Sequence, residues 1–404
     1  MIRQPIAYLA SEYPAISHTF IFREIQSLRA QGFSVRTASI RQPGDISIMT
    51  PEEQAEASQT LYIKTTNPFR ALGIHIALKL STLPSYIRMF FNALSLWWSG
   101  PLDLFKAIAY FAEAGILAAW IRREGIRHVH VHFANPAATV AMIAASGGYL
   151  SYSLSMHGPD EFYNIHSDLI PEKVRNATFV RCISHYCRSQ VMRVLEPQKW
   201  DKCHIVRCGI DIESFAPRPE PENRTTEILC IGRLVPAKGQ HVLLNACKRL
   251  RDRGVPFHLT LVGGGPDRDS LVGDAHRLGI ADAVTFTGPV GQGEIHTYYN
   301  RADVFALASF AEGLPVVLME AMGKGIPCVT TAITGHPELI DNGENGFLVA
   351  ASDIEGLAGR LETLLTSPEL RSQMGRKARE KVLAQHDLAA NCAQMAELFD
   401  RYLK

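Results

Sequence analysis

The sequence of 404 residues predicts an α/β protein made of two doubly wound parallel sheets. Short apolar segments are repeatedly followed by a glycine- or proline-bearing loop and then by a helical pattern, which is typical of parallel strands with crossover helices. This pattern begins near the N-terminus and starts again after a segment with Pro217, Pro219 and Pro221. A chain of this length exceeds one typical hydrophobic core, so two domains are expected.

The composition is that of an ordinary globular protein. Hydrophobic residues make up 47% and charged residues 20% of the chain, and the formal net charge is +1. A nearly neutral chain has no global field for nucleic acid, so nucleic-acid binding is disfavoured. The eight cysteines form no Cys-x-x-Cys pair, which favours a reducing compartment and argues against a zinc site. We expect a cytoplasmic protein.

The first domain is expected to span residues 1–208. A strand near residues 6–9 leads through a polar loop, residues 11–20, into a helix that ends at Gly32, and residues 33–40 predict the second strand. The loop after the first strand of such a sheet is a usual position for ligand contacts. Ser17, His18 and Thr19 lie in this loop and are candidates for the acceptor side.

Residues 68–123 are rich in apolar and aromatic side chains at helical spacing, with lysines and arginines between them. Two interpretations stay open: crossover helices packed on the sheet, or basic amphipathic helices on an anionic membrane surface. The best candidate for a membrane span, residues 107–120, is interrupted by Glu113 and is too short to cross. A soluble or peripheral protein is expected.

Residues 127–133 alternate as a strand and place His128, His130 and His132 on one face. Because the three histidines extend over about 13 Å, they are not expected to surround one metal ion. His132 is at the carboxyl end of the strand and is expected to face a cleft. The next strand, residues 150–155, leads into an abrupt polar turn that contains His157 and Asp160.

The second domain is expected to span residues 226–386, after an interdomain linker at residues 209–225. Its first strand is followed by a glycine-bearing loop, residues 232–239, in which Arg233 and Lys238 offer cations for phosphate. A final helix, residues 387–404, is expected to pack back across the junction.

Residues 312–322 contain two glutamates, Glu312 and Glu320, around the start of a helix. Pro315 is expected at the first helical position, where its missing N–H has no intrahelical partner. The amides near Gly313 and Leu314 would then point from the positive end of the helix toward an anion. This arrangement suits a ligand that carries both hydroxyl and phosphate groups.

These motifs resemble those of the retaining glycosyltransferases with the GT-B fold, of the family-four, group 1 type. The segment 312–322 matches the family pattern of two glutamates separated by seven residues, and residues 232–239 match its diphosphate loop. Tyr13-Pro14, the His132-Phe133-Ala134 run and His157-Gly158-x-Asp160 are similar to the subgroup that builds colanic-acid-type exopolysaccharides. The resemblance implies two Rossmann-like domains that face each other across a cleft.

The resemblance also implies the chemistry: a hexosyl group moves from a nucleoside diphosphate sugar to an acceptor hydroxyl with retained anomeric configuration, without a metal or other cofactor. The implied catalytic residues are His157, Glu312, Arg233 and Lys238. The implied donor-binding residues are Gly232, Arg233, Lys238, Val290, Glu312, Gly313, Leu314 and Glu320. The implied acceptor-side residues are Ser17, His18, Thr19, His132 and Asp160.

Two positions depart from the family pattern, His18 where the subgroup often has an acidic residue and Ala308 where the family often has proline. The expected partners are a nucleotide-sugar donor and a sugar or lipid-linked acceptor, with peripheral contact at the inner membrane surface. Two alternatives remain: a nucleotide-sugar 2-epimerase, and a nucleotide-sugar-binding protein without turnover.

Overall fold

A computed structural model describes residues 4–403, apart from residues 16–18, 45, 47–48, 99, 101 and 219–225. The chain divides into two compact units, the first formed by Met1–Val206 with Cys392–Lys404 and the second by Arg207–Asn391. The second unit therefore begins before the expected linker has ended. Ile210 pairs with Asp387, and the buried ring of Phe215 packs against Tyr299, so this stretch is part of the second unit.

The first unit is built on a parallel sheet of seven strands, in the order β3-β2-β1-β4-β5-β6-β7. Its strands are β1 Ile6–Glu12, β2 Val35–Arg41, β3 Leu61–Tyr62, β4 His128–His132, β5 Ser151–Met156, β6 Val180–Cys182 and β7 Cys203–Ile205. Its helices are α1 Thr19–Ala30, α2 Pro51–Gln59, α3 Pro68–Ser81, α4 Leu83–Trp98, α5 Leu104–Arg123, α6 Pro136–Ser146, α7 Ile170–Asn176 and α8 His185–Arg193.

Helices α3, α4 and α5 form a layer in the long crossover between β3 and β4. Their inner side chains are packed together, with His75 of α3 bonded to the Tyr86 hydroxyl at 3.1 Å and to the Ala112 carbonyl at 3.1 Å. Within the described residues, α5 is long and apolar enough to cross a membrane, but 56% of its apolar window is buried inside the protein. It contacts α3, α4 and α6, as a core helix does.

The core of the first unit includes the end of the chain. Met395 and Phe399 of α16, which spans Leu388–Tyr402, are buried with Tyr8 of β1 and with Ile25 and Leu28 of α1. The apolar spacing of α16 therefore matches the face that it presents to the first sheet.

The second unit is built on a parallel sheet of six strands, in the order β10-β9-β8-β11-β12-β13. Its strands are β8 Glu227–Ile231, β9 His258–Val262, β10 Val284–Gly288, β11 Val304–Leu307, β12 Cys328–Thr331 and β13 Gly346–Val349. Its helices before α16 are α9 Gln240–Asp252, α10 Arg268–Arg277, α11 Gln292–Arg301, α12 Val316–Gly323, α13 His336–Leu339, α14 Ile354–Thr366 and α15 Pro368–Gln385.

Both sheets reverse their strand order beside the first strand of the unit. In the first sheet β1 lies next to β4, and in the second sheet β8 lies next to β11. Ligands of open parallel sheets bind at the carboxyl ends of strands, at such switch points. Ligand-binding and catalytic residues are therefore expected in the loops after β1, β4 and β5 and in the loops after β8 and β11.

Candidate active site

In the second unit, the loops after β8 and β11 are joined by backbone contacts. The Phe310 amide donates to the Ala237 carbonyl at 2.8 Å. Gly239 has φ of 62°, and a Cβ there would lie 2.1 Å from the Ala308 carbonyl oxygen. Only glycine satisfies both the positive φ and this close approach. The two loops therefore hold a fixed spacing at the switch point.

The charged groups of these loops meet at one point. The Lys238 ammonium contacts the Glu312 carboxylate, and Ser309 Oγ donates to the same carboxylate at 3.3 Å. The Thr334 hydroxyl donates to the backbone carbonyl of Glu312, which fixes the loop from the β12 side. Lys238 and Glu312 are only partly exposed, so their interaction is stronger than that of a pair on an open surface.

Helix α12 begins one residue later than expected. Pro315 occupies the N-cap with φ of −73° and ψ of 119°, and Val316 is the first helical residue. The expectation of Pro315 at the first helical position was wrong, because the extended ψ keeps Pro315 outside the helix. Among the described residues, the amides of Gly313 and Leu314 donate no hydrogen bond. They remain available for an anion at this helix start.

Glu320 is held inside α12 by a tyrosine. The Tyr299 hydroxyl donates to Glu320 Oε2 at 2.9 Å and approaches the Val317 carbonyl at 3.2 Å. Glu320 is 6% exposed and Tyr299 is fully buried. A buried carboxylate that is oriented by a hydroxyl can accept hydrogen bonds from ligand hydroxyl groups at a defined place.

In the first unit, a line of polar groups runs from β4 to the loop after β5. His132 Nδ1 lies 2.9 Å from His157 Nε2, and His132 Nε2 lies 3.4 Å from Glu24 Oε1. The Tyr8 hydroxyl donates to the same Glu24 oxygen at 2.9 Å, and Arg181 pairs with the other carboxylate oxygen. His132 and His157 are therefore joined by a hydrogen bond, and the Glu24 carboxylate lies 3.4 Å from the other ring nitrogen of His132.

The pKa shifts of Glu24 and His132 determine the charges of these groups. Burial alone would raise the pKa of Glu24, but the Arg181 guanidinium and the His132 and His130 imidazoles outweigh it and hold this pKa well below its usual range. Burial lowers the pKa of His132 despite the opposing charge of Glu24. At neutral pH the carboxylate is therefore ionised and paired with Arg181, while the His132 imidazole is neutral.

Glu24, His130 and His132 have ligand atoms within 4.8 Å of one another, and this is the group in the described part of the chain that is spaced to hold a metal ion. Its hydrogen bonds fit a polar network better. His130 is bonded to Ser153 at 2.7 Å and to Ser155 at 2.7 Å, so both its nitrogens are used. The cation that faces Glu24 is Arg181.

A buried carboxylate shapes the loop that carries His157. Glu161 accepts from the amides of Ala134, His157 and Gly158 at 2.5, 2.5 and 3.1 Å. Burial raises the pKa of Glu161, and these amides act against that rise. Lys173 Nζ donates to the Ala134 carbonyl at 2.7 Å. The loops after β4 and β5 are therefore tied together.

A cavity of about 450 Å³ lies between α4 and α7, and a second cavity, of about 340 Å³, adjoins the loop of His157. Phe133, Ala134, Asp160, Glu161 and Asp168 are among the residues that line the second cavity. Its position beside His157 and its mixed apolar and acidic lining make it a candidate for hydroxyl-bearing ligands.

A protein-family model matches most of the second unit. Residues 211–381 match the family model described as "Glycosyl transferases group 1". The chain carries a glycosyl transferases group 1 domain.

The similarity of this glycosyltransferase to curated proteins extends over both units. The chain is 28% identical over 414 aligned residues to the WcaL protein of Escherichia coli (strain K12), which is named for glycosyl transfer in colanic acid biosynthesis, with 95% of each chain covered. It is 29% identical to a GDP-mannose-dependent alpha-(1-6)-phosphatidylinositol monomannoside mannosyltransferase of Mycolicibacterium smegmatis, over 69% of this chain and 77% of that one.

Solved structures show the same architecture. The sucrose-phosphate synthase of Thermosynechococcus elongatus has a TM-score of 0.78 at 19% identity, over 99% of each chain. Anabaena Alr3699/HepE, in complex with UDP and glucose, has a TM-score of 0.75 at 18% identity, over 99% of this chain and 100% of that chain. The glycosyltransferase has the GT-B fold, in which each of the two α/β domains is built on a parallel sheet.

The structure of the glycosyltransferase brings several predicted donor residues together. Gly232 and Lys238 share the loop after β8, and Nε2 of the Gln240 side chain donates to the Arg233 carbonyl at 2.9 Å. Glu312 is in contact with Lys238. Val290 lies elsewhere, after β10 at the edge of the sheet and two strands away from β8.

The residues predicted for the acceptor side differ in their exposure to solvent within the described part of the chain. Ser17 and His18 lie outside the described residues, and Thr19 is the first residue of α1. Asp160 is exposed and lines the smaller cavity. His132 was expected to face a cleft, but its side chain is 0% exposed. That expectation was wrong because His157 and Glu24 cover both of its ring nitrogens.

Other polar residues of the glycosyltransferase were missed as site residues. Glu24 and Arg181 are paired although 157 positions separate them, and no local pattern marks such a pair. Ser309 and Thr334 were also missed, although Ser309 follows β11 at the switch point and Thr334 follows the adjacent strand β12. His336 begins the short helix after Thr334 and is fully buried. Its Nδ1 forms a hydrogen bond with the Thr330 hydroxyl at 2.8 Å.

Proposed function

We propose that this glycosyltransferase moves a hexosyl group from a nucleoside diphosphate sugar to an acceptor hydroxyl, with retention of the anomeric configuration. The observation that carries the proposal is the meeting of Lys238 with Glu312 at the switch point, beside the unbonded amides of Gly313 and Leu314. Cations and amides suit a diphosphate, and the carboxylate suits sugar hydroxyls.

Each donor group has a role in this proposal. Lys238 and Arg233 hold the diphosphate and balance the charge that develops on the leaving group. Glu312 accepts from hydroxyls of the donor sugar, and Glu320, oriented by Tyr299, accepts from the ribose hydroxyls. The diphosphate replaces Glu312 as the partner of Lys238, which frees the Glu312 carboxylate for the sugar.

We propose front-face transfer as the chemical step. The bond between the anomeric carbon and the phosphate oxygen breaks, and its electron pair stays on the diphosphate. The acceptor oxygen bonds to the same face of the anomeric carbon, while its proton passes to the leaving phosphate oxygen. This step needs no metal and no enzyme nucleophile. His157, oriented by His132, is the residue that we place against the donor sugar near the reacting carbon.

The names of the relatives suggest the setting of this reaction. One is named for colanic acid biosynthesis, and another for a phosphatidylinositol mannoside. We propose that the acceptor is a growing surface polysaccharide or a lipid-linked glycan, handled on the cytoplasmic side of the inner membrane.

The test uses the purified full-length chain with UDP, GDP and their hexose conjugates. Thermal unfolding is followed first, because a bound donor stabilises the folded state by mass action. Donor turnover is then followed with extracted lipid-linked and polysaccharide acceptors, with and without EDTA, and the anomeric configuration of the product is read by NMR. We expect a shift with one nucleotide series, EDTA-resistant transfer and a retained anomer. An inverted product, or turnover that requires added metal, would overturn the mechanism.

A further inference from the structure

Helices α3, α4 and the start of α5 carry an unusual concentration of exposed apolar side chains. Of the 18 large hydrophobic residues that are exposed in the described part of the chain, 13 lie in these three helices. Single exposed apolar residues are normal on a soluble protein, whereas a contiguous patch marks an interaction surface. These 13 residues, here called the apolar face, are Phe69, Leu72, Ile76, Leu80, Leu83, Ile87, Phe90, Phe91, Trp97, Trp98, Leu104, Phe105 and Ile108.

The apolar face follows helical periodicity. In α3, Phe69, Leu72, Ile76 and Leu80 recur at intervals of three or four residues and form one stripe. Leu83, Ile87, Phe91 and Trp98 form a second stripe along α4, at intervals of four, four and seven residues. The opposite sides of these helices are buried, through Leu78 in α3 and Met89, Ala93 and Leu96 in α4. The stripes are therefore additional to the faces that build the core.

Several side chains of the apolar face are almost fully in solvent. Phe69 is 85%, Trp98 83%, Phe105 82% and Leu80 81% exposed. A folded monomer gains nothing from aromatic rings at such exposure, because they keep nearly all of their contact with water. These side chains fit a partner that removes them from water.

The charges around the apolar face are basic. Arg70 and Lys79 in α3, Arg88 in α4 and Lys106 in α5 are all exposed. Residues 68–108 contain a single acidic residue, Asp103, which caps α5 and pairs with Lys106 at 3.2 Å. At 3.6 residues per turn, Arg70, Lys79 and Arg88 flank the apolar stripes instead of interrupting them. In the described structure these three cations form no ion pair.

We propose that the apolar face docks this enzyme on a lipid bilayer with anionic headgroups. The aromatic and aliphatic stripes enter the boundary between headgroups and acyl chains, and the flanking lysine and arginines contact the lipid phosphates. Tryptophan is favoured at this depth, and α4 ends with Trp97 and Trp98. The helices lie in the interface and do not cross it, since α5 continues into the core with Leu117, Ala118 and Ile121 buried.

A second copy of the chain fits this face less well. Two such faces brought together would place Arg70, Lys79 and Arg88 near their own counterparts, with only Asp103 to compensate. Like charges brought together in this way cost free energy, whereas anionic lipid offers opposite charge everywhere on its surface.

The test measures flotation of the full-length protein with vesicles, in the absence of donor and acceptor. Vesicles of phosphatidylcholine alone are compared with vesicles that contain phosphatidylglycerol, at low and high salt. We expect binding to the phosphatidylglycerol vesicles that weakens with salt, and a blue shift of tryptophan fluorescence. Because no turnover is measured, the result is independent of the proposed function.

Two sets of variants locate the contact. The triple variant F91S/W98S/F105S removes exposed apolar groups only, so folding should be preserved, and we expect at least a tenfold loss of vesicle binding. Its control, Leu383→Ser, removes an exposed apolar residue of α15. The triple variant R70Q/K79Q/R88Q should lose the preference for anionic lipid, and R376Q/K377Q in α15 is its control.

Three outcomes would overturn the proposal. The first is failure of the wild-type chain to bind phosphatidylglycerol vesicles. The second is binding of the apolar triple variant with wild-type affinity. The third is a wild-type dimer, detected by analytical ultracentrifugation, that the apolar triple variant converts to monomer while neither protein binds vesicles. That result would assign the apolar face to a second copy of the chain.

Discussion

His132 Nδ1 lies 2.9 Å from His157 Nε2, and the two rings stack with their centroids 5.0 Å apart and their planes 26° apart. His132 is fully buried, and its other nitrogen faces the ionised carboxylate of Glu24. A carboxylate behind one imidazole nitrogen favours a proton there, which leaves the other nitrogen to accept from His157. His132 is thus a positioning residue for His157.

His132→Phe should lower kcat by about tenfold and leave the donor KM within about twofold, because the ring of His157 loses its orientation while the donor site in the other unit is unchanged. His132→Gln should recover part of the rate through its side-chain amide. The control is His128→Gln on the same strand face, about 13 Å away, where both ring nitrogens bond serines at 2.8 Å. Equal losses in the His128 and His132 variants would contradict a positioning role.

Lys238→Ala and Glu312→Ala should each reduce transfer by about a hundredfold or more, the magnitude typical for loss of one group that stabilises charge in the transition state. Lys238→Ala should also weaken nucleoside diphosphate binding, measured by calorimetry, whereas Glu312→Ala should keep it. Lys248→Ala in α9, which removes a partly exposed lysine paired with Asp252, is the control. Wild-type turnover in either site variant would refute the assignment.

Gly239→Ala should destabilise the second unit and abolish nucleotide binding. Its Cβ would meet the Ala308 carbonyl at 2.1 Å, and backbone at that distance has to move. Gly254→Ala is a matched control because φ is 69° there and no atom lies within 4 Å of a Cβ. It should cost about 1 kcal/mol from the positive φ alone. Urea unfolding and calorimetry with nucleotide distinguish the two, and similar effects in both variants would contradict the close-contact argument.

The meeting of Lys238 and Glu312 could be predicted from the sequence, because both residues follow strands of one parallel sheet, whose carboxyl ends lie at the same edge. Lys238 and Glu312 each follow such a strand, and topology alone brings them together. The surroundings of His132 in the first unit were less predictable. The burial of His132 depends on α1, which brings Glu24, and on the pairing with Arg181 of β6. These are tertiary contacts between segments that are distant in the sequence, and the alternating pattern of β4 does not predict them.

The layer formed by helices α3, α4 and α5 was also only partly predictable from the sequence. The aromatic spacing in residues 68–123 fitted both packed crossover helices and surface helices. The structure shows that α3 and α4 have apolar residues on both sides, one buried and one exposed. A sequence pattern reports which positions are apolar, but it does not tell how many of those positions the rest of the fold will cover.

Stability should fall as the pH drops from about 6.5 toward 4. Burial lowers the pKa of His128 to about 3 and the pKa values of His336 and His386 to about 4. In the unfolded chain the histidine pKa is about 6.5, so between these values the unfolded state binds more protons than the folded state. Each of the three then removes about 1.4 kcal/mol of stability for each pH unit below 6.5.

Urea unfolding at pH 7.5, 6.5 and 5.5 measures this dependence. His386→Asn should reduce the slope by about one proton, and a variant of the exposed His276 should not change it. Equal stability at pH 7.5 and 5.5 in the wild type would contradict this prediction.

Tyr299→Phe separates donor binding from the chemical step. The substitution removes the hydroxyl that donates to Glu320 at 2.9 Å, while the ring that packs against Phe215 and Phe305 is kept. If Glu320 accepts from the ribose, the loss appears equally in the ground state and the transition state, so KM rises and kcat stays unchanged. One hydrogen bond to a charged group is worth about 1.5 kcal/mol, which predicts a rise in the donor KM of about tenfold. Tyr298→Phe, one residue earlier in α11, is the control. A fall in kcat at unchanged KM would place Glu320 at the reacting centre instead of the ribose.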